Sequence, residues 1–287
     1  MAGIKELRLR IKALKNTSKI TAAMKMVSAA KLKRAQDAYT RAKPYSERME
    51  ETLSRVLSAL ESPEHPLLQV REVKRTRYVV VSSDRGLAGA FNNGLLRAFA
   101  RRPADEAAVE ALGVGRRARD FIARTESIGT VETEAVNTPS WTNAVAIANA
   151  LMDDFLGGKI DKVVLVYNRF NSVISQTPVF VPLLPLAPSA SDAAKAGAGA
   201  KDSYIFEPAE QVLLADLLPR LVTLQVFRSL LENAVGEHSA RMTAMDNATK
   251  NTKDLISSMS LTMNRARQAA ITRELIEIVS GAEALNG

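Results

Sequence analysis

Few residues in this chain are of the kinds that do covalent chemistry. Its 287 residues include no cysteine and only two histidines, His65 and His238. Disulfides, thiolate metal sites and a cysteine nucleophile are excluded, which suits a reducing compartment. A His-based metal cluster or a Ser-His-Asp triad is poorly supplied. The carboxylates form no close pair in a catalytic setting, and Asp153 and Asp154 sit in a helical pattern where they read as solvated. Two glycine-bearing turns remain. GVGRRA at 113–118 follows a strand pattern and matches the start of G-x-G-x-x-A, with Glu134 about 20 residues on, the turn that brings a helix N-terminus to a pyrophosphate. The run is short, and Arg116 and Arg117 would crowd the turn, so an ordinary strand-to-helix connection is the simpler reading. SDRGLAGAFNNG at 83–94 also joins strand to helix, but lacks the G-K-[ST] ending of a P-loop. It reads as a turn with a functional surface. No catalytic residue, metal ligand or cofactor is assigned.

The elements around these turns follow two grammars. From residue 3 to about 58 the pattern is helical, with Ile4, Leu7, Ile11 and Leu14 at three-four spacing. The same phase then meets Ser18, Thr21, Lys25 and Ser28 before Leu32 and Ala35, so the seam is thin in its middle. Pro44 is expected to bend the helix, and SPEHP at 62–66 to end it. Between 76 and 188, five strand patterns are interleaved with helical ones: TRYVVVSSD, AAVEALGVG, SIGTVETEAV, DKVVLVYNRF and VISQTPVFVPLLPL. They predict an open α/β sheet, with a helix from about Trp141 to Leu156. SASDAAKAGAGAKDS, 189–203, reads as a flexible excursion. Helix resumes at about 208, with Pro208 in its first turn and Pro219 expected to kink it. It runs to about Leu285, with Met242, Met245, Thr249, Thr252, Ile256, Met259 and Met263 on one seam.

The predicted fold class is therefore α/β: an N-terminal helix (1–60), a central open α/β (Rossmann-like) domain (76–188), the excursion, and a C-terminal helix (208–287). The two terminal helices would be roughly 80 Å and 95 Å long, more than the central domain could cover. The economical solution is that they pair with each other as a long antiparallel coiled coil.

Charge is uneven along that coiled coil. The chain carries a net +8, and residues 3–48 hold thirteen cations against three acids, whereas 237–286 are balanced. An acidic partner is implied. Nucleic acid is one candidate, but the basic run lacks interleaved aromatics and no known module is present. The N-terminus has no apolar core of a signal peptide, and no apolar run is long enough to span a bilayer. The four methionines at 242–263 read as coiled-coil seam or as an adaptable contact surface.

Four segments carry a resemblance. IKELRLRIKALKNTSKITAAMKMVSAAKLKRAQ at 4–36, SSDRGLAGAFN at 82–92, and RMTAMDNATKNT with NRARQAAITRELIEIVSGAEAL at 241–252 and 264–285 are similar to signatures of the gamma subunits of F-type ATP synthases. Ala88 and Ala90 stand where Cys and Gly are common in that family, and Met263 where an aromatic is usual. The resemblance implies a non-catalytic central rotor shaft. It would carry torque between a membrane ring of c subunits and a head of three alpha and three beta subunits, coupling proton flow to ATP synthesis and hydrolysis. An epsilon-type subunit would be a further partner, with no nucleic acid and no small-molecule substrate. Its place would be peripheral, on the cytoplasmic face of a bacterial inner membrane or the matrix side of an organelle. The residues expected to face the head are Arg8, Met24, Lys25 and Lys31 on the first helix, and Arg267, Gln268, Thr272 and Glu274 on the last. Ile278, Val279 and Leu285 would slide in an apolar collar.

Overall fold

A computed structural model describes residues 2–59, 65–102, 108–125, 129–132, 139–186 and 210–286. The 189–203 excursion and Pro208 lie outside them. Helix α1 (Ala2–Ala59) is followed by a 3-10 turn at Pro66–Leu68, then β1 (Thr76–Val81), α2 (Phe91–Ala100), β2 (Val109–Val114), α3 (Arg116–Ile122), β3 (Gly129–Glu132), α4 (Trp141–Leu156), β4 (Lys162–Ser172), β5 (Ser175–Leu184) and α5 (Glu210–Asn286). The chain divides into two units, 1–28 with 241–287, and 29–240.

The larger unit is built on a five-stranded sheet of order β3-β2-β1-β4-β5. β1 to β4 are parallel, as expected from strands separated by helices, while β5 returns antiparallel to β4 through a tight hairpin. Both faces of the sheet are covered. Alternation along β1 sends Tyr78 and Val80 to one side, against Leu95, Leu96 and Phe99 of α2 and Ala118 and Ile122 of α3. Val79 and Val81 face the other side, with Ala148, Leu151 and Phe155 of α4, Leu53 of α1, and Leu214, Leu218 and Leu221 of α5. The terminal helices thus complete the core of the α/β domain as well as pairing with each other. Within this unit Arg228 of α5 reaches Glu50 of α1 at 3.4 Å, and the buried Glu232 accepts a hydrogen bond from the Tyr39 hydroxyl of α1 at 3.3 Å.

Neither proline interrupts its helix. Pro44 lies inside α1 and Pro219 inside α5. Pro44 and Thr40 are exposed, so water can take the carbonyl that the missing N–H leaves free. Ala215, whose carbonyl Pro219 leaves free, is likewise exposed to water. Asp154 also departs from the sequence reading. It is not simply solvated, because Arg77, buried at the start of β1, donates to it and also to Glu110 at 2.7 Å. Lys159 closes on the other oxygen of Asp154 at 2.8 Å. The Lys159 ammonium and then the Arg77 guanidinium hold the Asp154 carboxyl below its usual range.

The smaller unit is an antiparallel helix pair. Its seam is made by Ile11, Thr21 and Ser28 of α1 and Met245, Thr249 and Thr252 of α5, all buried. Two polar contacts fix its register. The Thr249 hydroxyl donates to that of Thr21 at 2.7 Å, and Lys25 Nζ meets Asp246 Oδ1 at 2.6 Å. Lys250, one turn along α5, meets the other Asp246 oxygen at 2.9 Å. These cations, Lys25 first, lower the Asp246 carboxyl to about 2. The small hydroxylated side chains in mid-seam allow close approach, and those of Thr21, Thr249 and Thr252 each find a partner in the seam or on their own helix.

Two expectations follow. Arg77→Met should destabilise the chain by about 3–5 kcal/mol, because it leaves two carboxylates facing a buried apolar group; urea unfolding measures it. The wild type should lose the Asp154 contribution as pH falls through that group's lowered pKa, since a depressed carboxyl stabilises only above its unfolded value. Lys25→Gln should move the Asp246 carboxyl up from about 2 towards the ordinary carboxylate range. Its side-chain carbon shift, followed by NMR against pH, reads this directly, and an unmoved titration would show that Lys250 alone sets the value.

Candidate functional site

The nucleotide-like turn folds into something else. Gly115 sits at φ +93°, and a Cβ there would lie 2.5 Å from the Ser82 carbonyl, so glycine is required for close approach to β1 and not for a ligand. A pyrophosphate would need the free N–H groups at the start of α3. Those groups are already taken. The N–H of Arg116 donates to Asp84 Oδ1 at 2.9 Å, that of Arg117 to the Ser83 carbonyl at 3.2 Å, and that of Ala118 to the Ser82 hydroxyl at 2.8 Å.

The crevice where the strand order reverses, between the carboxyl ends of β1 and β4, is the usual ligand site of an open α/β sheet. Here α5 fills it. Asn233 Nδ2 donates to the Ser82 carbonyl, and Asn168 Nδ2 to the Phe91 carbonyl, each at 3.1 Å. Phe91 packs so near Gly236 that a Cβ on that residue would lie 2.9 Å from its ring. A domain that resembles a nucleotide binder in outline therefore uses its ligand crevice to seat a helix. Among the described residues no group of His, Cys, Asp or Glu could hold a metal ion, and no helix is long and apolar enough to cross a membrane.

The turn at 83–90 is rigid and presents its tip. Asn92 Oδ1 accepts from both the N–H and the hydroxyl of Ser83, at 3.1 and 2.9 Å. Leu87 adopts φ +62° and is 63% exposed, while its neighbour Ala88 is buried. An exposed leucine held in the left-handed region is the feature here that the pattern of residue types did not single out.

The helix pair carries most of the remaining candidates. Arg8 is exposed on α1, and Met24 is half-buried beside the seam. Lys25 is half-exposed and engaged with Asp246, so its charge is shared with α5 before any partner is met. Lys31 is also exposed on α1, in the part belonging to the larger unit. On α5, Arg267, Gln268, Thr272 and Glu274 are all exposed.

The register set by Thr21–Thr249 and Lys25–Asp246 brings the first residues of α1 level with Ala270. Beyond it α5 runs on alone, and every described side chain from 271 to 282 is exposed. This tip carries Ile271 at 50%, Leu275 at 57%, Ile276 at 60%, Ile278 at 67% and Val279 at 61% exposure. Leu285 falls where side chains are not described. A single helix with aliphatic residues around it is a surface for a partner to enclose.

The chain is similar to chains of ATP synthases in both sequence and structure. The profile of a family described as ATP synthase matches residues 3–285. The ATP synthase gamma chain of Granulibacter bethesdensis is 48% identical over 298 aligned positions, covering 99% of this chain and all of the relative. That of Pelotomaculum thermopropionicum is 44% identical over 292, with the same coverage. Among solved structures, a chain of the Euglena gracilis mitochondrial ATP synthase (OSCP/F1/c-ring, rotational state 3) superposes with a TM-score of 0.68 at 22% identity, over 99% of this chain and 95% of that one. A chain of the rotor of the same organism's enzyme gives 0.65 at 20% identity, over 94% and 99%. These structural likenesses support the fold, and the full-length sequence relatives establish kinship: the chain belongs to the ATP synthase gamma-chain family.

Proposed function

We propose that this chain is the central rotor shaft of an F-type ATP synthase. In this reading it transmits torque between a membrane ring of c subunits and a catalytic head of alternating alpha and beta subunits. One observation carries the reading beyond kinship: α5 ends in an unpartnered apolar helix tip, on the same unit as a cationic α1. The tip fits an apolar collar that it can turn within, because aliphatic contacts have no preferred direction. The cations of α1 fit acidic loops that pass by, because exposed charges attract over several ångströms without demanding one geometry. Arg8, Met24, Lys25 and Lys31 would face the head on α1. Arg267, Gln268, Thr272 and Glu274 would do so on α5, and Ile278, Val279 and Leu285 would lie in the collar.

The chain itself is non-catalytic in this proposal. Its nucleotide-like turn has spent its donors internally, and catalysis would stay in the beta subunits. An epsilon-type subunit would join it at the base, and the chain would be peripheral to the membrane, on its cytoplasmic or matrix side.

Purification of the tagged chain from its native membranes in mild detergent is the direct test. One copy with three each of two larger ATPase subunits is the expected stoichiometry, and a chain recovered free or with nucleic acid would overturn the reading. A finer expectation concerns Met24. Met24→Lys would set a new cation beside Lys25, where Asp246 is already shared with Lys250, leaving it to seek carboxylates on the head. The enzyme should assemble normally yet pump fewer protons per ATP hydrolysed. An unchanged ratio would remove Met24 from the contact surface.

A further inference from the structure

The helix layer on the outer face of the sheet carries an unusual charge. α2 and α3 touch each other and cover one face of the sheet. With the residues that follow each, they bear Arg97, Arg101 and Arg102, then Arg116, Arg117, Arg119 and Arg124, against the single acid Asp120, and no lysine. Arg102 is used internally, its guanidinium 4.6 Å from the centre of the Phe99 ring. Arg97, Arg101, Arg116 and Arg124 are exposed. Among the described residues none of these four forms an ion pair. The connections 103–107, which holds Asp105 and Glu106, and 126–128, which holds Glu126, lie outside them.

Helix electrostatics account for only part of this. Arg97 and Arg101 sit at the C-terminal end of α2, where the helix dipole favours a cation. Arg116 lies at the first position of α3, the end the dipole makes unfavourable for one. Its backbone is anchored to Asp84, but its side chain is not. Like charges packed on neighbouring helices repel, and that repulsion is relieved by an anion outside the domain.

The layer also shows what kind of anion fits. None of the large apolar side chains exposed among the described residues lies on α2 or α3. A peptide-binding site would offer a groove with apolar anchors. A spread of guanidinium groups without anchors suits a diffuse anionic plane. We propose that this face of the α/β domain associates with the phosphate headgroups of an anionic membrane. Lipid as the anion rests on the reading of the chain as part of a membrane-bound machine. The contact would be weak and non-directional, and it would lie outside the helix-pair surface assigned to the head.

The test is co-sedimentation of the purified full chain with vesicles of phosphatidylglycerol mixed into phosphatidylcholine, against phosphatidylcholine alone. Wild type should bind only the anionic vesicles, and less as salt rises. Replacing Arg97, Arg101, Arg116 and Arg124 by Gln should lower partition by roughly fivefold per charge. Replacing them by Lys should preserve it, because a headgroup plane reads charge and not fork geometry. Thermal unfolding checks that both sets fold, and if the Gln set does not, the wild-type comparison of the two vesicle types and the Lys set decide. As a control, Lys5, Lys12, Lys15 and Lys19 on α1 become Gln together, removing the same charge elsewhere.

Several results would overturn the proposal: no preference of wild type for anionic vesicles, an equal loss in the α1 control, or retained binding in the Gln set. Loss in the Lys set would also do so, since it would point to a shaped carboxylate or phosphate site. So would tighter, arginine-dependent binding of polyglutamate or duplex DNA than of vesicles. The subunit stoichiometry of the purified complex is independent of all these outcomes, so failure here and failure of the rotor reading are told apart.

Discussion

Everything in this molecule depends on two helices, from opposite ends of the chain, meeting antiparallel in one register. An apolar seam alone fixes register poorly when its side chains are small, because a slip of one turn replaces one alanine or serine by another. Here polar contacts remove that freedom. The Thr21–Thr249 hydroxyl pair and the Lys25–Asp246 ion pair can form in only one alignment. A slip would break the Thr21–Thr249 bond across the seam, although each hydroxyl would keep a carbonyl of its own helix within reach. The ion pair, though exposed and of small net worth in stability, adds to selectivity because a slip of one turn would set uncharged Thr21 or Ala29 opposite Asp246.

The α/β domain obeys a related constraint. Its sheet is covered on one face by α2 and α3, and on the other by α4 with both terminal helices. The terminal helices are therefore structural parts of the domain and not appendages to it. Asn233, Gly236 and Phe91 show this at atomic detail, since the crevice that would admit a small molecule admits α5. Between α1 and α5 in this unit, Glu232 joins Tyr39 and Arg228, and Arg228 joins Glu50. Burial first, and then the Glu232 charge, raise the pKa of Tyr39, so the hydroxyl stays protonated and able to donate. A rigid mounting results, held by hydrogen bonds whose partners come from distant parts of the sequence.

Much of this was legible in residue order. The three-four spacing of Ile4, Leu7, Ile11 and Leu14, and of Met242, Met245, Thr249 and Thr252, records helix pairing because each helix turn must present the same face. The β-branched runs gave all five strands. Other features were out of reach for physical reasons. Pro44 and Pro219 forbid one hydrogen bond each, but the sequence does not say whether the carbonyl left free, that of Thr40 or Ala215, will face water. The antiparallel direction of β5 depends on a hairpin too short for a crossover helix. Asp154 looked solvated because Arg77 lies 77 positions away, and Lys25 looked like a free cation because Asp246 lies 221 positions away. The GVGRRA turn kept the look of a dinucleotide site because its competitors, Ser82, Ser83 and Asp84, belong to a different strand end. Local sequence records what an element can be, and only the fold shows which of its polar groups are already spoken for.

The bare tip of α5 has a consequence for the life of the protein in a cell. From Ile271 to Val279 a newly made chain displays aliphatic side chains that nothing in its own fold conceals. Chaperones and proteases recognise apolar stretches left uncovered on an otherwise folded body. A copy made in excess would thus announce itself for capture or removal, whereas a copy threaded into a complex would fall silent. The same residues that let the shaft be gripped would keep its number matched to the machines that hold it.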